Sequence, residues 1–198
     1  MIRSLAIVTV MSALAACGPK AAPVAPTEPA PAAPADPAAP TDPATPAEPA
    51  AHTPATSFQI EDNHLVLPSP VAFATGSADV DPSAEAALWF AKDYLDAKDY
   101  ITTLRIEVHT SSDTPDGQAL SEARALAVGH WLIAHGIACD RLIAVGFGDN
   151  KPIADGSTPD GRAANRRVEF HNAELRGRLI GGMPADGGGM VAGDLCAH

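Results

Sequence analysis

The sequence predicts an α+β fold: a sandwich of a small mixed β-sheet backed by two main helices, with an N-terminal hairpin, all within residues 57–176. Three observations carry this. Apolar residues recur at helical spacing twice, at Ala84, Leu88, Ala91 and Leu95 and again at Ala125, Val128 and Leu132. Alternating or apolar runs of strand length stand between and after them. The order is strand, helix, strand, helix, strand and closing strand, and two strand–helix units beside a closing strand make a helix-backed sheet.

Phe58-Gln59-Ile60 and Leu65-Val66-Leu67 flank the turn-forming pair Asp62-Asn63, which predicts the hairpin. Pro70–Phe73 reads as a further short strand. Asp81 followed by Pro82 is a helix start, an acceptor at the N-cap and a proline at the first helical position. Leu104–His109 alternates as a strand. The second helix runs from about Gln118 to His135, and Gly136 ends it. Leu142–Val145 is strand-like and is ended by Gly146-Phe147-Gly148. Gly156–Ala164 reads as a polar loop, and Arg167–His171 as the strand that closes the sheet.

The rest of the chain is different in kind. Arg3, then the apolar stretch Leu5–Leu14, then small residues leading into Cys17 have the layout of a secretory signal peptide, too short to span a bilayer comfortably. Leu14-Ala15-Ala16-Cys17 resembles the bacterial lipobox, in which the chain is cut before a Cys that becomes the acylated first residue. That resemblance implies a signal peptide at 1–16 and a lipid on Cys17. Each buried methylene contributes about 0.8 kcal/mol, so several acyl chains hold a protein at a bilayer. Gly18 is not the Asp that often retains proteobacterial lipoproteins at the inner membrane, so the resemblance implies the outer membrane, with the domain facing the periplasm. Residues 18–55 are almost all Ala, Pro, Thr and acid. Proline at this density favours extended polyproline II, a tether with a reach on the order of 100 Å. The organisation read from the sequence is therefore signal peptide 1–16, acylated Cys and tether 17–56, domain 57–176 and Gly-rich tail 177–198.

Without Arg3 the mature chain carries 12 basic against 24 acidic residues. That balance excludes a nucleic-acid partner, which requires a basic face. With Cys17 assigned to the lipobox, Cys139 and Cys196 remain in a compartment that permits disulfides. They could bridge, stapling the tail to the domain, or stay free.

Five blocks, in order, resemble the OmpA-like domain, the family of the OmpA C-terminal domain, the peptidoglycan-associated lipoprotein and MotB. They are Phe73–Ala78, Ile106–Thr110, Leu120–Ala125, Gly146–Gly148 with Pro152–Ala154, and Gly161–Glu169. The resemblance covers about residues 57–174. It implies non-covalent binding of the peptidoglycan stem peptide at diaminopimelate, with no cofactor, no metal and no catalysis. Such a zwitterionic ligand needs a cation for its carboxylate and an acceptor for its ammonium. The family match assigns the first role to Arg124 and places Asn165 and Arg166 beside the site. The family's His-Thr-Asp, whose Asp takes the ammonium, reads His109-Thr110-Ser111 here. The following loop is shorter, and Gly117 stands where an Asn is usual. Ser111 lacks the charge. Either Asp113 or Asp116 could replace the missing acid, or both could simply solvate the loop. If the site is short of an anion, Ser111→Asp should tighten binding by roughly 1 kcal/mol.

Three function classes follow. The first is an outer-membrane lipoprotein that binds peptidoglycan and ties membrane to wall. The second is a diverged interaction module with weak or lost diaminopimelate binding and other envelope proteins as partners. The third, a metal-dependent peptidase using His109, ranks last: the chain has no matched Cys/His set, and His130 and His135 are five apart.

Overall fold

The computed structural model describes residues 52–197. Cys17, the signal peptide and the tether up to residue 51 lie outside the described residues. Among the described residues, no helix is long and apolar enough to cross a membrane.

The hairpin forms where expected, with β1 at Ile60–Glu61 and β2 at His64–Leu65. Asp62 and Asn63 both take positive φ, 43° and 69°, the conformation that a two-residue turn matched to strand twist demands. Pro70–Phe73 does not form a strand. Only Phe73 bridges Val80, across a loop that turns at Gly76. Pro68 and Pro70 have no amide hydrogen to offer a ladder. Asp81 Oδ1 accepts from the Ser83 amide at 2.9 Å and caps a single 3₁₀ turn, Pro82–Ala84, that leads into α1, Glu85–Ala97.

Strand β3 spans Ile101–His109, α2 spans Gly117–Ala134, and β4 spans Leu142–Gly148. β3 and β4 are parallel, Leu104 opposite Leu142, and α2 is the connection between them. Ala84, Leu88, Ala91 and Leu95 from the first stripe and Ala125, Val128 and Leu132 from the second pack on Leu104, Ile106 and Val108, all essentially inaccessible. Burying each of the larger side chains contributes about 1.5–3 kcal/mol. Gly136, at φ +99°, ends α2 as expected.

Residues 156–164 are not a plain loop. Thr158 Oγ1 accepts from the Gly161 amide at 3.0 Å, Pro159 occupies the first turn, and α3 runs Pro159–Asn165. It has the same start signal as Asp81-Pro82, but its run is short and carries no apolar stripe. The following strand, β5 at Val168–Leu175, does not close the sheet. It lies between β2 and β3, antiparallel to both, in the order β1-β2-β5-β3-β4. The edge beyond β4 is filled by the tail. After β6, Arg178–Leu179, which folds back on β5, the chain returns as β7, Met190–Val191, antiparallel to β4. Cys139 and Cys196 are joined, Cα to Cα 5.3 Å apart, and Leu195 packs against Gly129, where a Cβ would stand 2.7 Å from its methyl carbon. The sequence left this bridge open; the fold brings the two cysteines together.

Candidate functional site

A cavity of about 430 Å³ opens where the end of β3 meets the start of β5, beside the Phe73–Gly76 loop. Phe73, Thr75, Gly76, Arg124, Arg166 and Arg167 line it, with Val108, His109 and Val168 behind them. Three arginines thus face one small space. Arg124, early in α2, anchors its Nε to the Ser77 carbonyl at 2.8 Å and lies over the Phe73 ring, 4.7 Å from its centroid. These two contacts hold the planar head while the outer nitrogens stay available. Burial first, and the like charge of Arg166 second, pull Arg124 below the usual guanidinium range. A bound anion would relieve that tension.

Arg166 follows α3 and donates through Nη1 to Ser111 Oγ at 2.9 Å. Ser111 in turn donates to Asp113 Oδ1 at 2.5 Å, and Asp113 meets Arg162 Nε at 3.0 Å and Arg166 Nη1 at 3.7 Å. The Ser111 hydroxyl first, then Arg162 and Arg166 against slight burial, hold the Asp113 carboxyl below the usual range, so it is ionised. Of the two acids the sequence offered as a replacement, Asp113 is the one that meets the arginines. Asp116 sits at the start of α2 with φ 49° and makes no capping bond.

The other expected site residues separate by role. Ser111 reaches the site only through Arg166 and Asp113, being almost fully buried itself. Thr110 is buried against Gly117: a Cβ there would lie 2.6 Å from Thr110 Oγ1, which explains why this helix start is glycine. Asn165 is a clamp rather than a pocket wall. Its Oδ1 accepts from the Ile153 and Ala154 amides at 2.8 and 3.0 Å, and its Nδ2 donates to the Ala154 carbonyl at 3.0 Å. His109 borders the cavity, but its ring stacks on Phe147 and its Nε2 faces Glu107 and Glu169. Arg166 and Arg167 both line the cavity, but Arg167 Nε is taken by Glu169 at 2.8 Å. Sequence reasoning missed Phe73, which supports Arg124, and Arg162, which holds Asp113. The first was hidden in an apparent strand and the second in an apparent loop.

Residues 72–166 match the OmpA family. The chain is 46% identical over 70 residues to outer membrane porin F of Pseudomonas fluorescens, covering 34% of this chain and 22% of that protein. It is 34% identical over 111 residues to the peptidoglycan-binding protein ArfA of Mycobacterium tuberculosis, covering 54% of this chain and 33% of that one. The chain therefore spans a third or less of these relatives. Among solved structures, a MotB-like protein from Desulfovibrio vulgaris superposes with a TM-score of 0.50 at 27% identity, over 57% of this chain and 75% of that one.

Proposed function

We propose that this chain, whose residues 72–166 form an OmpA-family domain, is a non-catalytic lipoprotein that binds peptidoglycan from the periplasmic face of the outer membrane. The observation that carries the reading is the pairing of Arg124 and Arg166 in one cavity, with ionised Asp113 3.7 Å from Arg166. A zwitterionic amino-acid end, such as that of diaminopimelate in a stem peptide, presents a carboxylate to the first and an ammonium to the second. The name of its relative ArfA, a peptidoglycan-binding protein, supports peptidoglycan as the partner.

The direct test uses the full chain and purified sacculi. Losing a charge-assisted fork costs about 1.5–3 kcal/mol, roughly 10- to 150-fold in affinity. Arg124→Ala should therefore abolish co-sedimentation with sacculi and leave the circular dichroism spectrum unchanged. Equal sedimentation of variant and wild type would remove Arg124 from the site. The lipid anchor rests on the lipobox layout alone, and Cys17→Ser tests it. The variant should leave the membrane fraction in cells stripped of their wall, and retention there would exclude acylation as the anchor.

One observation favours the second reading, an interaction module with weak wall affinity. Arg166 and Asp113 already engage each other through Ser111, so a ligand must displace part of an internal network.

A further inference from the structure

The face of the sheet turned away from the helices carries a second polar cluster. Side chains alternate along a strand, so the β3 residues that miss the core are Arg105, Glu107 and His109. The register with β5 sets Glu107 opposite Glu169 and Arg105 opposite His171. Like charges directly opposite each other destabilise a sheet unless a cation offsets them. The cluster is also enclosed. Glu107 and His109 are 3% and 2% exposed, and the Gly-rich tail crosses above them, with Arg105 Nη1 donating to the Ala185 carbonyl at 2.9 Å.

Each carboxylate is gripped at one oxygen. Arg105 Nε holds Glu107 Oε1 at 2.6 Å, and Arg167 Nε holds Glu169 Oε1 at 2.8 Å. The two remaining oxygens both turn to His109 Nε2, at 3.6 and 3.7 Å. Those separations are too long for hydrogen bonds, and among the described residues neither ring nitrogen of this buried histidine has a partner. They are close to what two ligands of one ion require: bonds of about 2.0–2.2 Å in a tetrahedron set neighbouring ligand atoms roughly 3.3–3.6 Å apart. Glu107, His109 and Glu169 thus each offer one ligand atom, all within 4.8 Å of one another, while His171 Nε2 hydrogen-bonds to Glu169 Oε2 at 3.2 Å from outside that group.

We propose that Glu107, His109 and Glu169 form a site for one divalent transition-metal ion, with zinc the best match and His171 as the outer partner of Glu169. One imidazole and two carboxylates, with a water in the fourth position, suit zinc, whereas calcium and magnesium call for more oxygen ligands. Arg105 and Arg167 orient the two carboxylates as outer partners of a metal site do. The partly exposed side chains of Glu169 and His171 leave an entry path. The ion would tie β3 to β5 beside the arginine cavity, which His109 borders and which neither Glu107 nor His171 lines.

The test is calorimetric titration of zinc chloride into the full chain, tag-free and stripped of metal, with cobalt as a spectroscopic substitute. One zinc per chain, a higher Tm with zinc, and the intense visible absorption of tetrahedral cobalt are expected. His171→Ala and Glu169→Gln should each weaken zinc at least about tenfold, and His171→Ala should still sediment with sacculi as wild type does. His109→Asn should abolish binding, but a buried substitution can unfold the domain, so the partly exposed Glu169 decides. The proposal is overturned if the wild type takes up no zinc. It is equally overturned if His171→Ala and Glu169→Gln bind zinc as wild type does, which would put the metal on exposed histidines elsewhere.

Discussion

Ser111 and Asp113 show how a single hydroxyl can reverse an expectation. In the sequence, Ser111 stands at the family's acid position, and restoring Asp there should tighten binding. In the structure its oxygen is 2.5 Å from a carboxylate that is already present. Ser111→Asp would set two anions against each other at an almost fully buried position, where like charges disfavour ionisation. It should therefore destabilise the loop and weaken sacculus binding; a gain in binding would show that Asp113 does not serve the site. Asp113→Asn is the complementary test. It keeps the shape and removes the charge, turning a charge-assisted hydrogen bond to an ammonium into an ordinary one at about half the strength. Calorimetry with a diaminopimelate-containing stem peptide should show weaker binding by the variant, with the wild-type advantage shrinking as salt rises.

At the scale of elements, α3 matters more to the site than its seven residues suggest. It carries Arg162 to Asp113 and ends at Asn165, which pins the 153–154 strand-to-helix segment, and Arg166 follows immediately. Its placement depends on Gly161. A Cβ there would fall 1.9 Å from the Asp155 carbonyl oxygen, a contact that only backbone movement could relieve. Gly161→Ala should cost about 1–3 kcal/mol by overpacking and should lower sacculus binding along with Tm, because it displaces Arg162 and Arg166 together. Unchanged Tm and binding would show that the loop absorbs the methyl group freely. The helix escaped the sequence reading because seven residues are too few for an apolar period to declare itself; the Thr158-Pro159 start signal was present but had nothing to confirm it.

For the whole molecule, the Gly-rich tail is an integral part of the sheet. β7 covers the β4 edge, Ala192 donates to the Ala144 carbonyl at 2.9 Å, and the Cys139–Cys196 bridge locks the return. The bridge closes a loop across a separation of 57 residues, and in the chain-entropy account such a loop restrains the unfolded chain by about 4 kcal/mol. Reduction, or the pair Cys139→Ala and Cys196→Ala, should lower Tm and raise hydrogen exchange at Ala192 before the β3 amides open. Protection at Ala192 that survives loss of the bridge would show that β7 holds without it.

The sequence alone determined the two long helices, the β3 and β4 strands and the hairpin, because each is written in local terms: a repeated apolar period, a cap, a turn pair with positive φ. It also singled out Arg124 and Arg166, through their place in recognisable blocks. Only the tertiary structure decided that β5 lies inside the sheet rather than at its edge, that Asp113 rather than Asp116 meets the arginines, and that the two cysteines pair. It alone set the His109 Nε2 between Glu107 and Glu169. Each of these depends on contacts between residues distant in the chain, or on which face of a strand a side chain takes. Local periodicity carries no information about which distant strand will become the neighbour.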